Sequence, residues 1–224
     1  MAEAVSTAVV ASASASAARP AGDEVERPIG LREKHKRRTR AAIRTAAMEL
    51  FDAQGYAQTT VAQTTVAQIA EAAEVSHTTF FRYFQSKEQV VINDDLDDVW
   101  QESLTSIPPG LGRFDLLREI VRRLVGLVLA DDWASDPARM KLIQSEPALL
   151  VVNQVESDRA ISEAADFIAD YLGVDRDSSR LRVFIAAVGG MMFHIANGID
   201  NPRDGKLLDT LLEAVDLLEA GLPL

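Results

Sequence analysis

Apolar residues recur along this chain at helical spacing almost from end to end. Ile43, Ala46, Ala47, Leu50 and Phe51 fall at i, i+3, i+4, i+7 and i+8, a single stripe on a helix. That helix is expected over about residues 32–54, with Gly55 as its C-cap. Val66, Ile69, Ala70 and Ala73 repeat the pattern over a short second helix. Ser76 can cap a third, in which Phe80, Phe81 and Phe84 are apolar. "SKEQ", Ser86 to Gln89, reads as a capping box. It opens a fourth helix whose inner face would be Ile92, Leu96, Val99 and Trp100. "SIPPGLG" at 106–112 is a break. Further helices are expected at about 114–130, 137–145, 147–172, 178–197 and 206–220, with Gly205 and Gly221 suiting the two ends of the last. No alternating strand pattern flanked by turn residues stands out.

Composition narrows the class. Nearly half of the 224 residues are apolar and a quarter are charged, the balance of a soluble globular chain long enough for a substantial core. There are no cysteines, so disulfides and thiolate metal sites are excluded, and a reducing cytoplasm is the expected home. No uninterrupted apolar run reaches the roughly 18 residues that span a bilayer, so no membrane partner is expected. Residues 1–30 form an Ala/Ser-rich segment with Glu3 near its start and few large apolar side chains; it is read as a disordered tail, not a signal peptide.

The net charge of −11 is unevenly spread. Residues 27–90 carry ten bases and six acids, and residues 91–224 carry twelve bases and 24 acids. Most of the positive excess lies in "RPIGLREKHKRRTRAAIR" at 27–44, which includes Arg37 and Arg38. A basic first module on an acidic remainder points to a polyanion partner for the first part only; a merely solvated basic face is the alternative.

Two short helices joined by a tight turn, the second opening on small polar residues, make a helix-turn-helix pattern, and "TTVAQIAEAAEVSHTTFFRYF" supplies both. Ala70 and Val75 would let the helices cross closely. Ser76, His77, Thr78 and Thr79 would project from the start of the second. Over residues 37–91, with one QTTVA removed, the chain resembles the amino-terminal domain of the TetR family of transcriptional regulators. "RMKLIQSEPALLVVNQVESDRAISEAADFIADYLG" is similar to family members whose second domain binds apolar or acyl-type ligands.

The resemblance implies an all-α fold. A helix-turn-helix three-helix domain at 31–90 would be followed by a larger helical ligand-binding and dimerisation domain at 91–224. It implies a homodimer on a near-palindromic double-stranded DNA operator, released by a small apolar effector, and usually a repressor; no cofactor is called for. Thr65, Gln68, His77, Thr78 and Thr79 match family positions near DNA, and Tyr83 and Lys87 match positions that hold phosphates. The chain departs from the family in having Phe81 where Tyr is frequent, and Glu74 where a turn Gly is frequent. A left-handed Glu74 would carry roughly a kcal/mol of strain.

The word QTTVA is written twice, at 58–62 and 63–67. The second copy is contiguous with the motif. The first is surplus, and it is expected to extend the second helix at its start and to weaken operator binding. "LRVFIAAVGGMMFHIANGI" and "LLDTLLEAVDLLEAGL" are expected to form a four-helix dimer interface, with Gly189 and Gly190 permitting close approach. Trp133, Met140, Phe167, Phe184, Met192 and Phe193 are candidate walls of an apolar effector cavity. Arg139 is a candidate for its polar end, and His194 reads as a satisfied core histidine.

An enzyme is the rival class. Glu74 and His77 have the Glu-x-x-His spacing of a carboxylate metal site, but the further Glu and His motifs such sites need are missing, so no metal site is expected. "DDLDD" at 94–98 reads as a solvated acidic stretch at a helix start. A second rival is a ligand-binding or protein-interaction module whose helix-turn-helix is impaired by the repeat.

Overall fold

The computed structural model describes residues 30–56 and 64–223. The Ala/Ser-rich tail and the surplus QTTVA copy lie outside the described residues. Ten α-helices follow in order: α1 Leu31–Gln54, α2 Val66–Ala72, α3 His77–Tyr83, α4 Lys87–Ile92, α5 Asp97–Thr105, α6 Arg113–Ala130, α7 Pro137–Ser145, α8 Pro147–Leu172, α9 Ser179–Asn197 and α10 Leu207–Glu219. A 3-10 turn, Pro202–Asp204, precedes α10, and no strand occurs among the described residues.

The first core forms where the stripe of α1 meets α2, α3 and α4. Ile43, Ala47, Phe51, Ile69, Phe80, Phe84, Val90 and Val91 are all buried in it. Burying a phenylalanine contributes about 2–3 kcal/mol, so Phe80 and Phe84 anchor α3 firmly. The cluster does not stop at the expected boundary near residue 90: Ile92, Ile143 of α7 and Leu149 of α8 belong to it.

Local signals set the helix ends. Gly55, at φ 81°, stops α1 and its N–H donates to Phe51 O at 2.9 Å. Thr65 opens α2 through a complete capping box. Its hydroxyl accepts from Gln68 N at 3.2 Å, and Gln68 Oε1 accepts from Thr65 N at 2.8 Å. Thr65 is extended, at φ −104° and ψ 157°, so α2 begins at Val66 and does not run back towards the surplus copy. This corrects the expected extension of the second helix: the box ends it first. Between α2 and α3, Glu74 N donates to Glu71 O at 3.0 Å and Val75 N to Ala70 O at 2.9 Å, a Schellman closure with Glu74 left-handed at φ 54°.

The expected fourth helix is two helices, α4 and α5. Asn93 Oδ1 accepts from Asp95 N at 2.9 Å, and Asp94 Oδ1 accepts from Leu96 N at 3.3 Å. These short side chains offer the backbone local turns that compete with the helix, and Asp95 takes φ 68°. The phase is thereby reset, and Val99 lies 45% exposed instead of inside. The box at Ser86 is also half of what was expected. Ser86 Oγ accepts from Gln89 N at 3.3 Å, but Gln89 Oε1 accepts from Gln85 N at 3.3 Å.

A buried guanidinium fastens this break to the rest of the molecule. Arg139 of α7 donates to Val91 O and Ile92 O, both at 2.6 Å, and to Ala134 O at 3.2 Å. Arg44 of α1 donates to Asn93 O at 2.5 Å and pairs with Asp95 at 3.0 Å. Trp133 Nε1 donates to the same Asn93 O at 3.0 Å. The guanidinium of Arg44 stands 5.0 Å from the Trp133 ring centroid and that of Arg139 5.6 Å. The open carbonyls at the end of α4 are thus satisfied by side chains from α1, α7 and the α6–α7 connection.

Two further clusters build the larger part. Leu104, Leu116, Ile120, Ile168 and Leu181 join α5, α6, α8 and α9, while Leu117, Val121, Val125, Val188, Leu211 and Val215 join α6, α9 and α10. Gly189 is needed by α8: a Cβ there would meet Ile161 Cδ1 at 2.9 Å. Gly190 has open space, so close packing within the chain explains only the first of the pair. His194 is exposed, which corrects its reading as a core histidine; it sits on the outward side of α9. By length and composition alone α9 could cross a membrane, but it packs within the helical array against α8 and α10.

Glu74→Gly should raise stability by about 1 kcal/mol by relieving the left-handed turn, measured by urea denaturation. Arg139→Met should lower it by about 3 kcal/mol or more, since it leaves buried carbonyls unpaired; the same titration reads it.

Candidate nucleic-acid interface and cavity

The short helix α3 is held by its apolar side and presents the other. Phe80 and Phe84 are buried. His77, Thr78, Phe81 and Arg82, at i, i+1, i+4 and i+5, are exposed on one face. The His77 and Phe81 rings meet edge to face at 4.8 Å. Phe81 is 46% exposed, unusual for a phenylalanine beside a well-packed core.

The sequence-predicted residues divide by what they already hold. Ser76 Oγ accepts from Thr79 N at 3.0 Å and shares a hydrogen bond with Thr79 Oγ1 at 2.9 Å, so both cap α3. Thr65 and Gln68 satisfy each other at the start of α2 while remaining exposed. Tyr83 is half-buried with the Arg82 guanidinium 5.1 Å from its ring centroid. Lys87 Nζ stands 4.6 Å from the Tyr56 ring centroid. The phenol of Tyr56 donates to Glu88 at 2.9 Å, and burial with this bond pushes the phenol well above its usual range. His77 and Thr78 are left with side chains directed outward. Phe81 and Arg82 complete their face; the sequence signal was the i+4 and i+5 spacing from His77, which reading "FF" as core concealed.

The basic run on α1 is likewise of two kinds. Lys34, Lys36, Arg37 and Arg38 are exposed, with Arg37 3.7 Å from Glu33. Arg40 pairs with Asp95 and Arg44 is buried, so both serve the interior. Burial, then the neighbouring charges of Arg139 and Arg40, lowers the Arg44 pKa to about 10, and it stays charged at neutral pH. Burial pushes Arg139 down too, opposed by Asp94, Asp131 and Asp136.

A cavity of about 890 Å³ lies behind this junction. Leu124, Val125 and Val128 of α6, Met140 and Ile143 of α7, Met192 and Phe193 of α9, and Leu211 of α10 supply apolar wall. Ile92, Asn93, Asp94 and Arg139 form its side towards the α4–α5 break, and Arg82 to Gln85 also line it. Three expected wall residues, Met140, Met192 and Phe193, thus come together. Trp133, Phe167 and Phe184 do not line it. Trp133 belongs to the junction, Phe167 packs on Tyr171 at 5.9 Å, and Phe184 packs on Phe114 at 5.8 Å. The volume suits a drug-sized molecule. Arg139 lines the cavity and spends three of its five N–H donors on carbonyls.

Comparison with known proteins agrees with this arrangement. The sequence family described as "Bacterial regulatory proteins, tetR family" matches residues 43–93, and the one described as "MftR C-terminal domain" matches residues 111–223. The HTH-type transcriptional regulator TcmR of Streptomyces glaucescens is 37% identical over 166 residues, covering 71% of each chain. A solved TetR-family transcriptional regulator from Mesorhizobium loti MAFF303099 aligns with a TM-score of 0.49 and 19% identity, covering 83% of this chain and 97% of that one. From the two sequence families and the relative, the chain belongs to the TetR family of helix-turn-helix transcriptional regulators.

Proposed function

We propose that this regulator acts as a dimeric repressor. Each α3 enters the major groove of a near-palindromic operator, and a small apolar molecule in the cavity releases the DNA. The observation that carries the reading is the α3 face of His77, Thr78, Phe81 and Arg82, exposed on a helix whose opposite side is locked by Phe80 and Phe84. Side chains there would reach base edges, while Lys34, Lys36, Arg37, Arg38, Tyr83 and Lys87 would hold phosphates.

α9 and α10 are the proposed dimer helices. Val183 on α9 is 70% exposed and Leu217 on α10 is 44% exposed, with Ala186, Ala187 and Gly190 open beside Val183. A self-complementary patch of this kind suits a twofold interface. Release would work through the junction, because Ile92, Asn93, Asp94 and Arg139 are at once cavity wall and the fastening of α4. A molecule that displaces this wall would turn α3 relative to its partner copy, and half-site spacing tolerates little of that.

In sequence the surplus QTTVA ends three residues before Thr65, at the end of α2 that would face phosphates. We propose that it weakens binding by crowding that contact. An impaired reading head, leaving only a ligand-binding module, is the second reading, and the repeat is what favours it.

Duplexes selected from a random library by the full chain should share a near-palindrome. Against such a duplex, His77→Ala and Thr78→Ala should each lower affinity about tenfold or more at fixed salt, by fluorescence anisotropy. If no duplex is enriched, even by the chain lacking Gln58–Ala62, the repressor reading fails. Removing Gln58–Ala62 should tighten binding to the selected duplex at the same ionic strength; an unchanged Kd would clear the repeat of any role.

A further inference from the structure

The cavity wall has hydrogen-bond donors to spare. Arg139 gives three of its five N–H groups to Val91 O, Ile92 O and Ala134 O, so two remain, and three neutral carbonyls leave its charge uncancelled. Asp94 on the same wall lies 3.9 Å from Arg139 Nη2, beyond hydrogen-bond reach, and its other oxygen accepts from Leu96 N at 3.3 Å. Arg40 of α1 pairs with Asp95 through Nη1, but its Nε is buried with no acceptor among the described residues. Both arginines line the cavity. Arg44 ties them to one neighbourhood, since its guanidinium shares the Phe84 ring with Arg40 and the Trp133 ring with Arg139.

The acids on the wall do not use up these donors. Asp97 and Glu156 are held by Arg159, at 3.5 and 3.2 Å. That leaves Asp94, whose side chain is 34% exposed and so partly screened by water. Arg40, Arg82 and Arg139 stand against it, and Arg82 lies over Tyr83 with no carboxylate partner among the described residues. A buried N–H without an acceptor is costly, and a guanidinium cannot shed its charge to escape. An ammonium brought here would add a charge of the same sign. A hydroxyl would accept one N–H and leave the charge unanswered. A carboxylate accepts several such bonds and answers the charge as well.

We propose that the effector is an acidic amphiphile, with its apolar body against α6, α9 and α10 and one carboxylate at the end of the cavity lined by Arg139 and Arg40. This rests on the reading of the cavity as the effector site, and it names the acid as the feature of the small apolar molecule that is recognised. Arg40 belongs to α1 and Arg139 to α7, so the head group sits where the two parts of the chain meet.

The test uses N-phenyl-1-naphthylamine, a neutral fluorescent reporter, bound to the full chain at neutral pH. It is displaced by decanoate, 1-decanol or decylammonium, each below its micelle-forming concentration. Decanoate should act at roughly tenfold lower concentration than 1-decanol, and decylammonium should be the weakest. Arg40→Met should lower the preference for decanoate over 1-decanol by about threefold or more. Asp94→Asn keeps an acceptor for Leu96 N and should raise that preference. Circular dichroism verifies each fold, and if Arg40→Met does not fold, Asp94→Asn decides. 1-Decanol or decylammonium matching decanoate in the unaltered chain would overturn the proposal, as would an unchanged preference in Asp94→Asn. A reporter that never binds would remove the effector cavity itself, and this inference with it, while leaving operator binding standing.

Discussion

The buried guanidinium of Arg139 is the contact on which the arrangement of the two parts depends. A six-residue helix, α4, ends inside the molecule with carbonyls that no further helical turn can satisfy. Unpaired, each would cost about 1–3 kcal/mol. Arg139 answers two of them and a third carbonyl, Ala134 O, in the α6–α7 connection, at the cost of burying its own charge. Arg44 and Trp133 complete the arrangement from either side of Asn93. The reading domain is therefore no independent module on a hinge. Its core runs on into Ile143 and Leu149, and its last helix is held by hydrogen bonds from Arg139 of the larger part.

Electrostatics follow the same division. A chain of net charge −11 is a poor general ligand for a polyanion, and its acidic residues are concentrated after residue 90. The outward bases on α1, α3 and α4 are a limited set, because two of the arginines in the basic run face inward to Asp95 and Trp133. A basic patch of that size on an acidic bulk gives little indiscriminate attraction for a polyanion.

Much of this was legible in the sequence because helix ends are local. Gly55, Thr65, Ser76, Ser178 and Gly205 act through residues within one turn, and the expected ends of most helices lie within a residue or two of those observed. Where local rules compete, reading failed. The run "DDLDD" supports a helix start at Asp97, but its first members with Asn93 also build turns, and only packing against Arg139 and Arg44 decides between them. The cavity was half legible for a related reason. Periodicity says that Met140, Phe184 and Phe193 face inward, but not what they face. Phe184 meets Phe114, whereas Phe193 meets open space, and that difference lies in how three separate helices come together. His194 was misjudged because α9 is apolar almost all round, leaving no stripe from which to tell its outer side.

The capping box at Thr65 carries a consequence for how this gene can vary. Helix α2 takes its rotational phase from Thr65 and Gln68, not from the segment that delivers the chain to them. Upstream, Gly55 has already ended α1 and Tyr56 is buried, so α1 also takes its end from its own residues. Slippage during replication in that stretch changes contour length, while the azimuth of the exposed α3 side chains follows from Thr65 and Gln68 onward. A protein fastened in this way can survive a duplication between two helices that the same five residues, inserted inside either helix, would have turned into a loss of fold.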